Sequence, residues 1–161
     1  MVYELTFRGL AKIEVCMKYT SSVTIDLPRN RVLELFDSQE NLYKWQQGLK
    51  SFEHLEGEPG QTGAVSRLVY DMKGRSVEMT ERITNRNTPD ELSFTYDAKG
   101  VWNSCINRFV ELGPDSTRWE MDNEFRCSGF MKLLTAFMPG SFRKQTLADM
   151  NRFRVFAEKE G

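Results

Sequence analysis

The chain is poor in the side chains from which most enzyme sites are assembled. One histidine, His54, serves all 161 residues, which argues against most zinc sites and Ser-His-Asp mechanisms, because these need imidazoles in sets or with an oriented partner. The three cysteines Cys16, Cys105 and Cys127 are odd in number and widely separated, the wrong pattern for a disulfide framework or a paired-thiol site. Neither HExxH nor GxxxxGK[ST] occurs. The glycines of GEPGQTG (57–63) are spaced GxxGxxG between two expected strands, whereas a dinucleotide fingerprint sits where a strand turns into a helix. No metal and no cofactor is expected. No segment approaches the roughly 20 apolar residues of a membrane span. Glu4, Arg8, Lys12 and Glu14 interrupt the first sixteen residues, so no signal-peptide core is seen there. A cytoplasmic setting is the expectation. Neither sign of charge dominates: 22 Lys and Arg stand against 23 Asp and Glu, a net of −1. That disfavours a nucleic-acid binder or a basic membrane-surface protein, both of which concentrate positive charge.

What remains is ordinary globular composition, 40% hydrophobic and 28% charged, in a length that suits one domain. A chain of this size buries about 70% of its unfolded surface, so its core suffices without covalent staples. In MKYTSSVTIDLP, Tyr19, Val23, Ile25 and Leu27 share one parity, and Lys18, Thr20, Ser22, Thr24 and Asp26 share the other. This is the signature of a half-buried strand. Pro28 ends it and opens a helix, where a missing N–H costs nothing, and Val32, Leu33 and Phe36 recur at helical spacing. Asp37-Ser38 stops that helix and begins a second, with Leu42 and Trp45 three apart. From residue 49 the period becomes two. Turn signals separate runs 49–56, 65–72, 76–85, 92–97, 101–112 and 117–127, the rhythm of an antiparallel meander. After Gly129 helical spacing returns through Phe130, Leu133, Leu134, Phe137 and Met138, then Leu147, Met150, Phe153 and Ala157. Pro139-Gly140 between the two sets should kink or break the helix.

The order is strand, two short helices, six strands and a long interrupted helix. With SVTIDLPRNRVLELFDSQENLYKW, LEGEPGQTGAVSRLVY, the strand after GPDS and SGFMKLLTAFMPGSFRKQTLADMNRF, it resembles the START-like helix-grip superfamily. Within that superfamily it resembles the SRPBCC branch of polyketide cyclase/dehydrase and lipid-transport proteins. The resemblance spans residues 17 to about 158. It implies an α+β fold, a strongly curved antiparallel sheet of about seven strands wrapped around a long kinked C-terminal helix. Many relatives carry proline after the Trp-containing turn, where this chain has Gln46 and Gln47. Residues 1–16 lie outside the resemblance. Either they form an extra strand or arm, with Leu5, Phe7, Leu10, Ile13 and Val15 docking on the sheet, or Met17 is the natural start.

Strand parity turns Leu68, Tyr70 and Met72; Val77, Met79, Glu81 and Ile83; Leu92, Phe94 and Tyr96; and Trp119, Met121 and Asn123 to one face, and Leu134, Phe137 and Met138 would meet them from the helix. Parity alone fits an interlocked core as well as a cavity. The family resemblance implies the cavity, with Tyr70, Met79, Phe94, Tyr96, Trp119, Met121 and Phe137 as walls and Glu81 with Asn123 orienting a polar end. Its ligand would be a small hydrophobic or amphipathic molecule such as a lipid, a quinone or a polyketide. Glu81 is also the first candidate for a catalytic acid or base, with Tyr70 or Tyr96 as proton donor, should the chain act like a cyclase or dehydratase. The other reading of Glu81 is a structural ion pair or a bulge turning it to water. His54 reads as a surface side chain, and the charges of residues 118–126 as a solvated face. Run 101–112 is ambiguous, since Val101/Cys105/Phe109 and Trp102/Ile106/Val110 are both apolar sets. If the first set faces in, the Trp102 stripe becomes a candidate homodimer surface or a dock for residues 1–16.

Overall fold

A computed structural model describes residues 2–5, 15–138 and 140–161. Its first long strand is β2 (Val15–Ile25), followed by α1 (Arg29–Asp37) and α2 (Gln39–Trp45). The meander then runs through β3 (Leu49–Glu56), β4 (Val65–Asp71), β5 (Ser76–Asn87), β6 (Glu91–Ala98), β7 (Val101–Gly113) and β8 (Ser116–Cys127). These strands pair antiparallel in sequence order, and β2 closes on the far side of β8. That is the seven-stranded helix-grip sheet. An eighth strand, β1 (Val2–Leu5), extends the edge by pairing with β2 from Val2↔Lys18 to Leu5↔Val15. Phe7, Leu10 and Ile13 lie outside the described residues.

The C-terminal helix is two helices rather than one kinked one, α3 (Phe130–Phe137) and α4 (Ser141–Glu160). Gly140 between them takes φ +85°, a left-handed conformation that costs a glycine little and most other residues more. α4 packs chiefly along β2 and against α2. It is pinned at its far end where Glu158 accepts from the Asp26 N–H at 3.1 Å.

The core beneath α4 is aromatic. Phe36 of α1 lies 5.2 Å from the ring centroids of Phe109 and Trp119 and 5.3 Å from that of Phe153, each in an edge-to-face arrangement. Such pairs contribute beyond the area they bury. The polar atom of Trp119 is satisfied, its indole N–H donating to Asn107 Oδ1 at 2.9 Å while Asn107 Nδ2 donates to the Leu92 carbonyl at 3.1 Å. Val101, Cys105 and Phe109 face inward. Trp102, Ile106 and Val110 occupy the outer face, half-buried, with the Arg126 guanidinium 4.5 Å from the Trp102 ring centroid. The outer face of β8 is charged, as its alternation required, and carries the Arg108–Asp122 and Arg118–Glu120 pairs.

Because the meander alternates direction, the β4–β5 and β6–β7 turns, the start of β2 and the end of β8 lie at one end of the sheet. α3 and the first turn of α4 follow at that same end.

Candidate functional site

The aromatic core does not fill the grip. Between the concave face of β4–β8, the α1–α2 pair and the first half of α4 lies a cavity of about 610 Å³, within the few hundred to a thousand Å³ of small-molecule sites. Tyr70, Met79, Glu81, Phe94, Tyr96, Met121 and Asn123 all line it, and the nearly fully buried Trp119 contributes from the core side. Met72, Val77, Ile83 and Leu92 share the lining, whereas Leu68 is buried away from it.

The polar groups of the lining are aligned by strand register. Ser66 pairs with Glu81, Glu81 with Tyr96, and Tyr96 with Asn103, on four successive strands. Burial raises Glu81 from the ordinary carboxylate range to about 7, outweighing the nearby Tyr96 hydroxyl, which favours the charged form. No cation offsets this among the described residues. Glu81 therefore points inward without an ion pair, and the turned-out alternative falls away. Burial, reinforced by the Glu81 charge, holds Tyr70 and Tyr96 well above the usual phenol range, and burial lifts Cys105 to about 12. All three keep their protons at neutral pH.

Asn103 Nδ2 donates to Asn123 Oδ1 at 3.3 Å, which orients the second amide, while Asn123 Nδ2 is buried and has no hydrogen-bond partner among the described residues. The same holds for the indole N–H of Trp45, which lines the opposite wall. Buried donors left unpaired are uncommon and costly. Both residues border the cavity, but neither nitrogen is open to it; a polar group that the lining does offer a molecule inside is the Glu81 carboxyl.

One expected wall residue is not there. Phe137 is 81% exposed and lies outside the cavity. Met138 is exposed as well, and the side chain of Leu134 is not among those described. The break at Gly140 is the reason, because it uncouples α3 from the sheet and gives the helical wall to α4. That wall is Phe142, Gln145, Thr146 and Asp149. Phe142 sits 4.7 Å from Phe125, and Thr146 shares a 2.9 Å hydrogen bond with Tyr19. Asp149 is raised by burial but is compensated by Arg152. Helical spacing marks the apolar residues of α4 and gives no sign of these polar ones.

The α1–α2 wall was also missed, although Phe36, Leu42 and Trp45 had been placed on helices. Gln46 and Gln47, the departure from the family pattern, stand at the cavity rim. Gln46 accepts from the Tyr70 hydroxyl at 2.5 Å and Gln47 from Arg152 at 2.6 Å. Gly48 then turns at φ +81°, where a Cβ would collide with the Asp71 carbonyl. His54 is exposed at the rim, with Nε2 2.9 Å from the Gly57 carbonyl.

Comparison with known proteins agrees with this architecture. The profile of the family described as polyketide cyclase / dehydrase and lipid transport matches residues 17–152. No curated protein matches the sequence. Among solved structures, a conserved protein from Geobacillus kaustophilus superposes with a TM-score of 0.76 at 14% identity, covering 89% of this chain and 96% of its own. The Zhui aromatase/cyclase from a Streptomyces species gives 0.73 at 19% identity, over 89% and 94%. A norcoclaurine synthase from Thalictrum flavum, solved with dopamine and hydroxybenzaldehyde, gives 0.68 at 11%, over 100% and 98%. At these identities the likeness is one of fold.

Proposed function

The chain belongs to the polyketide cyclase/dehydrase and lipid-transport family, and from that membership and the cavity lining we propose that it binds or carries a small amphipathic molecule between sheet and α4. The observation that carries the reading is the pairing of a large, mostly apolar cavity with the Glu81 carboxyl in its lining, an acceptor or, when protonated, a donor. Such a lining suits an apolar body bearing carbonyl or hydroxyl oxygens, as in a polyketide, a quinone or an oxygenated lipid. It suits a carboxylate poorly. Among the described residues lining the cavity there is no Lys or Arg, and an anion beside Glu81 would be repelled at close range in a medium of low dielectric.

The test is native mass spectrometry of freshly purified protein, then denaturing extraction and identification of whatever is released. It is paired with a fluorescence titration of the neutral apolar probe N-phenyl-1-naphthylamine. A bound small molecule, or one-to-one saturable probe binding weakened in Met79→Trp, is the expected result. Bare protein with no saturable probe binding would overturn the reading.

A second reading is favoured by one observation. Glu81 titrates near neutrality next to two protonated tyrosines, which is the arrangement a general acid or base needs. In a cyclase or dehydratase of this fold, Glu81 would move the proton and Tyr96 would hold the substrate oxygen, the Tyr70 hydroxyl being given to Gln46. Mass-spectrometric conversion of the extracted molecule, lost in Glu81→Gln while binding persists, separates the enzyme from the carrier.

A further inference from the structure

The net charge of −1 conceals a strong asymmetry at one end of the molecule. From residue 125 to residue 148 there is no acidic side chain, while Lys132, Arg143 and Lys144 fall inside that stretch. The two turns at the same end add Lys73, Arg75 and Lys99 against Asp71 and Asp97, and Asp71 already accepts from the Gly74 N–H at 2.7 Å. None of those six cations takes part in an ion pair among the described residues.

Five of the nine large exposed apolar side chains among the described residues lie at this end too, while Tyr43, Leu55, Leu112 and Val155 are scattered elsewhere. Phe130 is 70% exposed, Leu133 55%, Phe137 81% and Met138 58% on and just after α3, and Met72 in the β4–β5 turn is 50% exposed. Phe130, Leu133 and Phe137 recur at three- and four-residue spacing, so they share one side of the helix. Solvated apolar side chains scattered singly need no explanation, but a cluster of this size ringed by cations does. The cavity reaches the same end through Met72, Ala98, Val101, Phe125 and Phe142. Phe142 begins only five residues after the end of α3.

We infer that this end, α3 with the β4–β5 and β6–β7 turns, is a docking face for an anionic lipid bilayer, through which the cavity exchanges its ligand. Projecting apolar tips beside Lys and Arg that form no ion pair among the described residues are what an interfacial helix presents to anionic headgroups: the tips enter the acyl boundary and the cations stay with the phosphates. An eight-residue helix alone would bind weakly, which suits reversible loading. The inference extends the proposed binding role without depending on which molecule is bound.

The experiment is co-sedimentation of the full chain with vesicles of phosphatidylcholine alone and of phosphatidylcholine mixed with phosphatidylglycerol, at low and high salt. Sedimentation velocity without lipid runs alongside. The expected result is binding to the anionic vesicles only, suppressed by salt, and reduced about tenfold by Phe137→Glu or by Arg143→Glu with Lys144→Glu. These positions are exposed, so the variants should keep the parent's melting temperature and its N-phenyl-1-naphthylamine titration. A lost probe titration in the parent would sink the ligand reading; an intact titration without vesicle binding would overturn the docking face alone. Vesicle binding that ignores both substitutions overturns it as well. So does a dimer dissociated by Phe137→Glu with no vesicle binding, which would assign the face to a second copy of this chain.

Discussion

Glu81 concentrates the chemistry of the cavity, and its titration makes a stability prediction with a definite sign. In the unfolded chain its carboxyl ionises near 4.5; in the fold it does so at about 7. The folded state therefore holds the proton more tightly, and Glu81 costs nothing below pH 4.5 but progressively more as pH rises to 7. The full shift corresponds to a loss on the order of 3 kcal/mol. Asp149, also raised, acts in the same direction. The lowered Glu91, Asp122 and Glu124 act oppositely and at lower pH. Urea unfolding at pH 5 and pH 8 should show Glu81→Gln gaining stability relative to the parent at pH 8 and little at pH 5. Equal differences at both would mean that Glu81 meets water or a cation in the fold. A second residue-level prediction concerns Asn107, which holds the Trp119 N–H and the Leu92 carbonyl. Asn107→Ala leaves the buried Trp119 N–H unpaired and should cost about 1 to 3 kcal/mol, read as a lower urea midpoint with unchanged slope.

Among the secondary-structure segments, what the sequence disclosed depends on how many directions each one packs in. The strands of the meander have one buried face and one charged face, so period two revealed their extent and which side chains look inward; Glu81, Tyr96 and Asn123 were readable for that reason. β7 has apolar residues on both faces, and only pairing with β6 and β8 decides that Cys105 faces in. The helices were harder. Helical spacing identifies an apolar stripe but not the surface it meets, and α3 and α4 carry similar stripes with opposite fates. α4 places Met150, Phe153 and Ala157 in the core, while α3 presents its apolar side to the surroundings. Polar lining residues such as Thr146 and Asp149 give no periodic signal. The division predicts unequal sensitivity. Phe153→Ala, emptying the space between Phe36, Trp45 and Trp119, should cost about 3 to 5 kcal/mol. Phe137→Ala should change the melting temperature by no more than a surface substitution does. A large loss from Phe137→Ala would mean that α3 is packed against a partner surface in solution.

The fold as a whole divides its labour along the grip axis. The end where α1 meets the tail of α4 is filled by interlocked aromatic rings, and stability resides there. Toward the other end lie exposed apolar tips and an excess of cations, and the cavity extends to that end as well. A molecule seated in the cavity would hydrogen-bond the Glu81 carboxyl and cover apolar wall that otherwise faces water, so its binding should appear as stability through mass action. At a free ligand concentration about a hundredfold above Kd, the gain is about 2.7 kcal/mol. For a domain of this size that gain corresponds to a rise in Tm of roughly 5 to 10 °C. Protein stripped by denaturing extraction and refolded should thus melt lower than protein as isolated, and recover on adding back the extracted molecule. The recovery should be smaller in Glu81→Leu, which leaves no carboxyl there for a ligand hydroxyl or carbonyl to bond. Equal melting of stripped and isolated protein, with no response to the extract, would mean that the wide end of the grip is stable empty and that its cavity is shaped by something other than a bound molecule.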